Sequence, residues 1–197
     1  MKFNRNIKSL IQRLAVLYYV NTILKTVQSV NVQKTNCDYL KSIYKELDIS
    51  TNWNDNTNDC CKLKGIQCNP DFNIIRIDLS KSKIKGKLSE NIGFLTNLQF
   101  IKLDNNEIYG NIPQNIGELV NLEELILNKN NLSGTIPKTL GSLKKLKELN
   151  LGDNGLYDYI PDALGSLSSI NKLYLENNLL EGSIPTSLSY LNNLEHM

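Results

Sequence analysis

Residues 125–137 read Leu-Ile-Leu-Asn-Lys-Asn-Asn-Leu-Ser-Gly-Thr-Ile-Pro, and the pattern of this stretch recurs along the chain. Its closing Ile-Pro pair returns every 24 residues, at Ile112-Pro113, Ile136-Pro137, Ile160-Pro161 and Ile184-Pro185. In the same register, two apolar residues recur two positions apart: Ile77 and Leu79, Ile101 and Leu103, Leu125 and Leu127, Leu149 and Leu151, Leu173 and Leu175. Such a fixed period predicts a solenoid whose units stack on their neighbours.

The repeats follow the consensus L-x-x-L-x-L-x-x-N-x-L, so the array is identified as one of leucine-rich repeats. Within each repeat the alternation of the type Leu125-Ile126-Leu127 predicts a short strand with inward leucines, and consecutive strands form a parallel sheet. Each strand is followed by an asparagine whose buried amide can satisfy the turning backbone: Asn106, Asn130, Asn154 and Asn178. The expected fold is an α/β solenoid with one elongated domain.

The chain divides into a predicted signal peptide (1–29), an N-terminal cysteine-containing cap (30–70), and five repeats with the start of a sixth (71–197). The first segment has basic residues, then the apolar run Leu14 to Leu24, then the small Ser29. This order indicates a secretory signal peptide and predicts an extracellular product; a signal anchor is the alternative. The apolar run is shorter than the roughly 20 residues that span a bilayer.

All four cysteines, Cys37, Cys60, Cys61 and Cys68, lie in the cap. Zinc binding is the rival interpretation, but adjacent Cys60 and Cys61 lack the usual ligand spacing, and an extracellular setting favours disulfides. A bond between those neighbours is strained, and we favour the pairs Cys37–Cys60 and Cys61–Cys68. The apolar face of a short helix around Leu40 and Leu47, capped by Asp38, is expected to cover the open end of the first repeat.

From Cys37 to Met197 the chain resembles plant-type extracellular leucine-rich-repeat proteins, which include receptor ectodomains and polygalacturonase-inhibiting proteins. The motif L-x-G-x-I-P-x-x-L-G-x-L, here Leu132 to Leu143, and the cap with Gly65-Ile66-x-Cys68 carry this resemblance. It implies a right-handed curved superhelix with a parallel concave sheet, and a second short sheet at the Leu-x-Gly-x-Ile segments. The chain departs from the family in having Leu63 where the cap usually has tryptophan.

The residues that alternate with the inward leucines face the concave side, where this architecture displays its ligand surface. The candidate binding residues are Arg76, Phe100, Lys102, Glu124, Ile126, Glu148, Asn150, Lys172 and Tyr174. Their mixed charges suit a protein or a cell-wall carbohydrate. Phe100, Ile126 and Tyr174 are expected to be exposed and to offer a contact patch, although isolated exposed apolar residues are common.

Other partners and activities are disfavoured. The chain has 22 Lys and Arg against 20 Asp and Glu, which gives no field to attract nucleic acid. The one histidine, His196, has no nucleophile arrangement around it, and we expect no cofactor, no metal and no enzyme activity. Asn131-Leu132-Ser133 is an N-glycosylation sequon.

These features predict a secreted, non-enzymatic recognition module. The alternatives are a secreted inhibitor of cell-wall-degrading enzymes and a truncated ectodomain of a leucine-rich-repeat receptor. Because the sequence ends where a sixth strand should begin, the last repeat offers an unpaired strand edge, and self-association through this C-terminal end is a further expectation.

Export is expected to cleave the chain near Ser29, because the basic start, the apolar run and the small residue fit signal peptidase. N-terminal sequencing of protein recovered from culture medium measures the cleavage point. A soluble cytosolic product with an intact Met1 would contradict the prediction.

Overall fold

The computed structural model describes residues 16, 18, 19, 36–49 and 59–197. The predicted signal peptide lies outside these residues, apart from positions 16, 18 and 19, and so does part of the predicted cap. Within the described ranges, no helix combines the length and the apolar character needed to cross a membrane.

The elements are short and recur with the sequence repeat. Residues 36–46 form an α-helix, α1. Across 59–197 the strands are β1 (Ile66–Cys68), β2 (Ile74–Asp78), β3 (Lys85–Lys87), β4 (Phe100–Lys102), β5 (Glu107–Asn111), β6 (Glu124–Ile126), β7 (Asn131–Gly134), β8 (Glu148–Asn150), β9 (Gly155–Tyr159), β10 (Lys172–Tyr174) and β11 (Leu179–Glu181). The 3-10 helices are Cys60–Lys62, Glu90–Phe94, Gln114–Glu118, Lys138–Ser142, Asp162–Ser166 and Thr186–Tyr190.

The strands form two sheets. The first sheet has the order β1-β2-β4-β6-β8-β10, in which β1 is antiparallel to β2 and the other pairs are parallel. The second sheet has the order β11-β9-β7-β5-β3 and is parallel. The leucine-rich-repeat solenoid and its parallel sheet are therefore confirmed, and the second sheet lies at the Leu-x-Gly-x-Ile segments.

Leucine and isoleucine from every repeat fill the space between the first sheet and the 3-10 helices. Leu125, Leu127, Leu149 and Leu151 are fully buried, as expected for the inward strand positions. On the opposite side the helices contribute Ile116, Leu140, Leu164 and Leu188. Each of these four helices begins immediately after the proline of an Ile-Pro pair, and that proline is the N-cap, with ψ between 127° and 141°.

The asparagine that follows each strand links consecutive repeats. Asn130 donates from Nδ2 to the carbonyls of Leu103 and Leu127, both at 3.0 Å, and accepts from the Ile108 N–H at 3.0 Å. Asn106, Asn154 and Asn178 make the corresponding bonds in their own repeats. One side chain thus satisfies backbone groups of its own repeat and of the repeat before it.

The cap closes the first end of the array. The disulfides Cys37–Cys60 and Cys61–Cys68 confirm the expected pairing. The antiparallel strand β1 pairs with the outer edge of β2, and the apolar face of α1 is buried. The expected helix cap is wrong, because α1 already includes residue 36 and Asp38 therefore lies within the helix.

Contacts between α1 and the first repeat fix the position of the cap. Ser89 donates to Glu46 at 2.6 Å, and the Tyr39 ring stacks on Phe94 with centroids 4.6 Å apart. A side chain at Gly86, where φ is 130°, would collide with the backbone of Leu47, so only glycine allows the helix end to approach β3 this closely.

Asn130→Ala is expected to lower the free energy of unfolding by at least about 2 kcal/mol, because it leaves buried backbone donors and acceptors without partners. Asn128→Ala, at a half-exposed asparagine in the same repeat, is the matched control and should cost less than about 0.5 kcal/mol. Urea unfolding followed by circular dichroism measures both. Equal losses for the two variants would contradict the structural role of Asn130.

Candidate functional site

The first sheet brings the predicted binding residues into two parallel rows on its solvent side. Strand register places equivalent residues of successive repeats side by side, since neighbouring parallel strands lie about 4.8 Å apart. Row one consists of Arg76, Phe100, Glu124, Glu148 and Lys172, and row two consists of Asp78, Lys102, Ile126, Asn150 and Tyr174.

Charged side chains in these rows pair with one another across the strands. Lys102 contacts Glu124 with Nζ and Oε2 2.7 Å apart, and Lys172 contacts Glu148 at 3.4 Å. Glu124 and Glu148 are register neighbours, and each is paired with a lysine of a different strand, Lys102 on β4 and Lys172 on β10. The face therefore has little uncompensated charge, and its ion pairs, which are partly exposed, contribute to order more than to stability.

The apolar residues of the two rows are more covered than the sequence predicted. The Arg76 guanidinium lies 4.0 Å from the centroid of the Phe100 ring, a cation–π contact that covers one face of that ring. Ile126 is only 8% exposed, so the expectation that it faces solvent is wrong. Its register neighbours Lys102 and Asn150 flank it on both sides, and the aliphatic stem of a lysine can cover an adjacent apolar residue.

The exposed aromatic side chains of the array lie elsewhere. Tyr109, Tyr157 and Tyr159 are 44%, 51% and 64% exposed, and all three belong to the second sheet. They lie on the second strand of each repeat, whereas the binding residues predicted from the sequence all lie on the first strand. The alternation of Leu156-Tyr157-Asp158-Tyr159 could have indicated them, since Leu156 is buried and Tyr157 is exposed.

The described residues include few side chains that are arranged for metal binding or that have a shifted pKa. Among them there is no cluster of three or more His, Cys, Asp or Glu side chains that could hold a metal ion. Burial raises the pKa of Tyr44, on α1, to about 12, which keeps this phenol neutral inside the cap. Asn131 of the sequon is exposed at the start of β7.

Family models match three parts of the chain. The leucine rich repeat N-terminal domain matches residues 38–69, and leucine rich repeat models match residues 97–119 and 120–180. A probable LRR receptor-like serine/threonine-protein kinase of Arabidopsis thaliana is 40% identical over 63 residues, which are 31% of this chain. That segment spans only 10% of the length of the relative.

Solved structures match over most of the chain. A chain of the BIR3–SERK2 complex from Arabidopsis thaliana is 28% identical with a TM-score of 0.70, over 83% of this chain and 93% of that chain. A plant ice-binding protein is 28% identical with a TM-score of 0.73, over 82% of this chain and 53% of that chain. Other matching structures are plant receptors in complex with peptide hormones.

Ile126→Ala is expected to lower the free energy of unfolding by about 1 to 2 kcal/mol, because the surrounding surface side chains can close over the gap. Leu127→Ala, one residue later in the leucine core, should cost about 2 to 5 kcal/mol, because the packed interior cannot close over the cavity that the truncation leaves. Denaturant unfolding compares the two variants. If Leu127→Ala costs no more than Ile126→Ala, the assignment of the two faces is wrong.

Proposed function

Because the chain belongs to the leucine-rich-repeat proteins and is similar to plant receptor ectodomains, we propose that it is a non-enzymatic module that binds a protein or peptide on its concave face. The binding residues are the accessible members of rows one and two, which excludes the buried Ile126. Secretion, and glycosylation of Asn131 at its exposed position, are parts of the same proposal.

The observation that carries this proposal is the internally paired concave surface. Its side chains are held by their neighbours across five parallel strands, for example Lys102 by Glu124 and Lys172 by Glu148. A surface that is ordered before binding loses less side-chain entropy when a partner docks, which favours recognition by shape and hydrogen bonding.

Two narrower roles differ in their support. An ectodomain role is favoured by the match that covers 93% of a chain in the BIR3–SERK2 complex. An inhibitor of cell-wall-degrading enzymes would be favoured by an acidic cluster facing a basic cleft. The paired lysines and glutamates of rows one and two give no such cluster, so we place this role second. A cell-wall glycan on the concave face has no specific feature of rows one and two in its favour.

Tyr174→Ala is the variant that tests the concave site, because Tyr174 is half-exposed and its removal leaves the leucine core intact. The immobilised protein is exposed to the extracellular fraction of its source cells, and the retained proteins and peptides are identified by mass spectrometry. We expect Tyr174→Ala to reduce retention of the main partner by at least about tenfold, as for an aromatic hot spot.

Tyr190→Ala is the matched control, because Tyr190 is also exposed but lies on the last 3-10 helix, away from the concave sheet. It should retain the partner as the unmodified protein does. Equal loss in both variants, or loss in Tyr190→Ala alone, would contradict a concave binding site.

A further inference from the structure

A groove runs along the flank of the solenoid, between the second sheet and the 3-10 helices. It consists of two adjoining cavities of about 350 and 470 Å³, which share Gln114 and Thr135. The first cavity is also lined by Lys87, Glu90 and Asn111, and the second by Lys138, Asp158, Tyr159 and Asp162. We define these residues as the flank groove.

Tyr159 forms an exposed aromatic platform at one end of the flank groove. Its ring lies directly over Gly182 of the next repeat, where any side chain would collide with ring atoms Cδ1 and Cε1. The ring is 64% exposed although the backbone below supports it. Tyr157, 51% exposed, lies two residues earlier on β9, and its register partner Leu179 is also exposed.

The repeat pattern is broken at the centre of the second cavity. Equivalent positions are Gly110, Gly134 and Gly182, with φ between 75° and 80°, but the fourth repeat has Asp158 with φ 73°. A left-handed conformation disfavours side chains, although Asp tolerates it better than most residues. Asp158 accepts a bond from the Tyr159 N–H at 2.9 Å, and its carboxylate lines the groove where the other repeats have no side chain. Strained residues of this kind concentrate at functional sites.

The charges of the flank groove nearly cancel. Its lining contains two lysines, Lys87 and Lys138, and three carboxylates, Glu90, Asp158 and Asp162. The remaining polar groups are neutral amides and hydroxyls, which donate and accept hydrogen bonds without selecting a charge. A ligand that complements this lining is neutral and rich in hydrogen-bonding groups, with an apolar surface for the Tyr159 ring.

We propose that the flank groove binds a neutral oligosaccharide. A pyranose ring has one face of C–H groups that can pack on an aromatic ring, and hydroxyls at its edge that pair with carboxylates and amides. This site is separate from rows one and two, so the proposal does not depend on the concave site.

An extended peptide fits the flank groove less well. Binding of a peptide as an additional strand requires an unpaired sheet edge. The strands β5, β7 and β9, which border the groove, are each paired on both sides. The backbone N–H and C=O groups of a peptide in the groove could therefore form hydrogen bonds only with side chains.

Isothermal titration calorimetry on the full protein with intact disulfides tests the proposal. The probes are cellohexaose, xylohexaose and mannohexaose, with an oligogalacturonide as the anionic comparison. The protein carries Asn131→Gln, so that no glycan of its own competes. We expect at least one neutral probe to bind, and Tyr159→Ala to weaken that binding by about tenfold or more, as the loss of a stacking platform implies.

Two further variants separate binding from folding. Asp158→Gly restores the residue type of the other repeats and removes backbone strain, so it should fold normally yet weaken the saccharide. Tyr190→Ala removes an equally exposed tyrosine outside the groove and should bind the saccharide unchanged. Binding of no neutral probe, preference for the oligogalacturonide, or binding that Tyr159→Ala and Asp158→Gly leave unaffected would each overturn the proposal.

Discussion

The fold depends on one repeated interaction, the side-chain amide of the asparagine that follows each concave strand. A chain that turns every few residues buries backbone N–H and C=O groups that the parallel strands cannot pair. Asn130 supplies both kinds of partner, to Leu103 and Leu127 as a donor and to Ile108 as an acceptor. Because its partners lie in two successive repeats, the same amide that satisfies one turn also fixes the neighbouring repeat against it. The first repeat has Ser82 instead, and its backbone is served by Asn106 of the next repeat.

That stacking explains why the concave face is ordered. Strand register brings side chains from equivalent positions within contact distance, so the composition of a row determines its chemistry. In row one Lys172 pairs with Glu148 and Arg76 covers Phe100, while Glu124 pairs with Lys102 of row two. A partner at the proposed concave site would meet a surface of largely paired charges, so its specificity would come from shape and from the groups, such as Tyr174, that remain accessible.

The first end of the array and its flank are shaped by other contacts. At the first end the cap replaces a missing neighbour: β1 pairs with β2, α1 covers the core, and two disulfides hold the short segments that could not fold alone. On the flank, residues from adjacent repeats meet at glycine positions, and a single change of glycine to Asp158 gives the second cavity a carboxylate. Small departures from a repeat thus create local chemistry without disturbing the core.

The sequence by itself determined the repeat length, the inward leucines and the asparagines, because each follows from the local periodicity. For the cap disulfides it excluded only the bond between neighbouring cysteines, and the favoured pairing is the one that the structure has. It also assigned the correct strand positions to rows one and two. Only the tertiary structure decided how accessible those positions are: Ile126 alternates like an exposed residue but is only 8% exposed. The exposure of Tyr159 was likewise undetermined by its own repeat, because the ring rests on Gly182, 23 residues later. In a solenoid, contacts between repeats determine how exposed a side chain is, and the sequence pattern within one repeat does not predict that exposure.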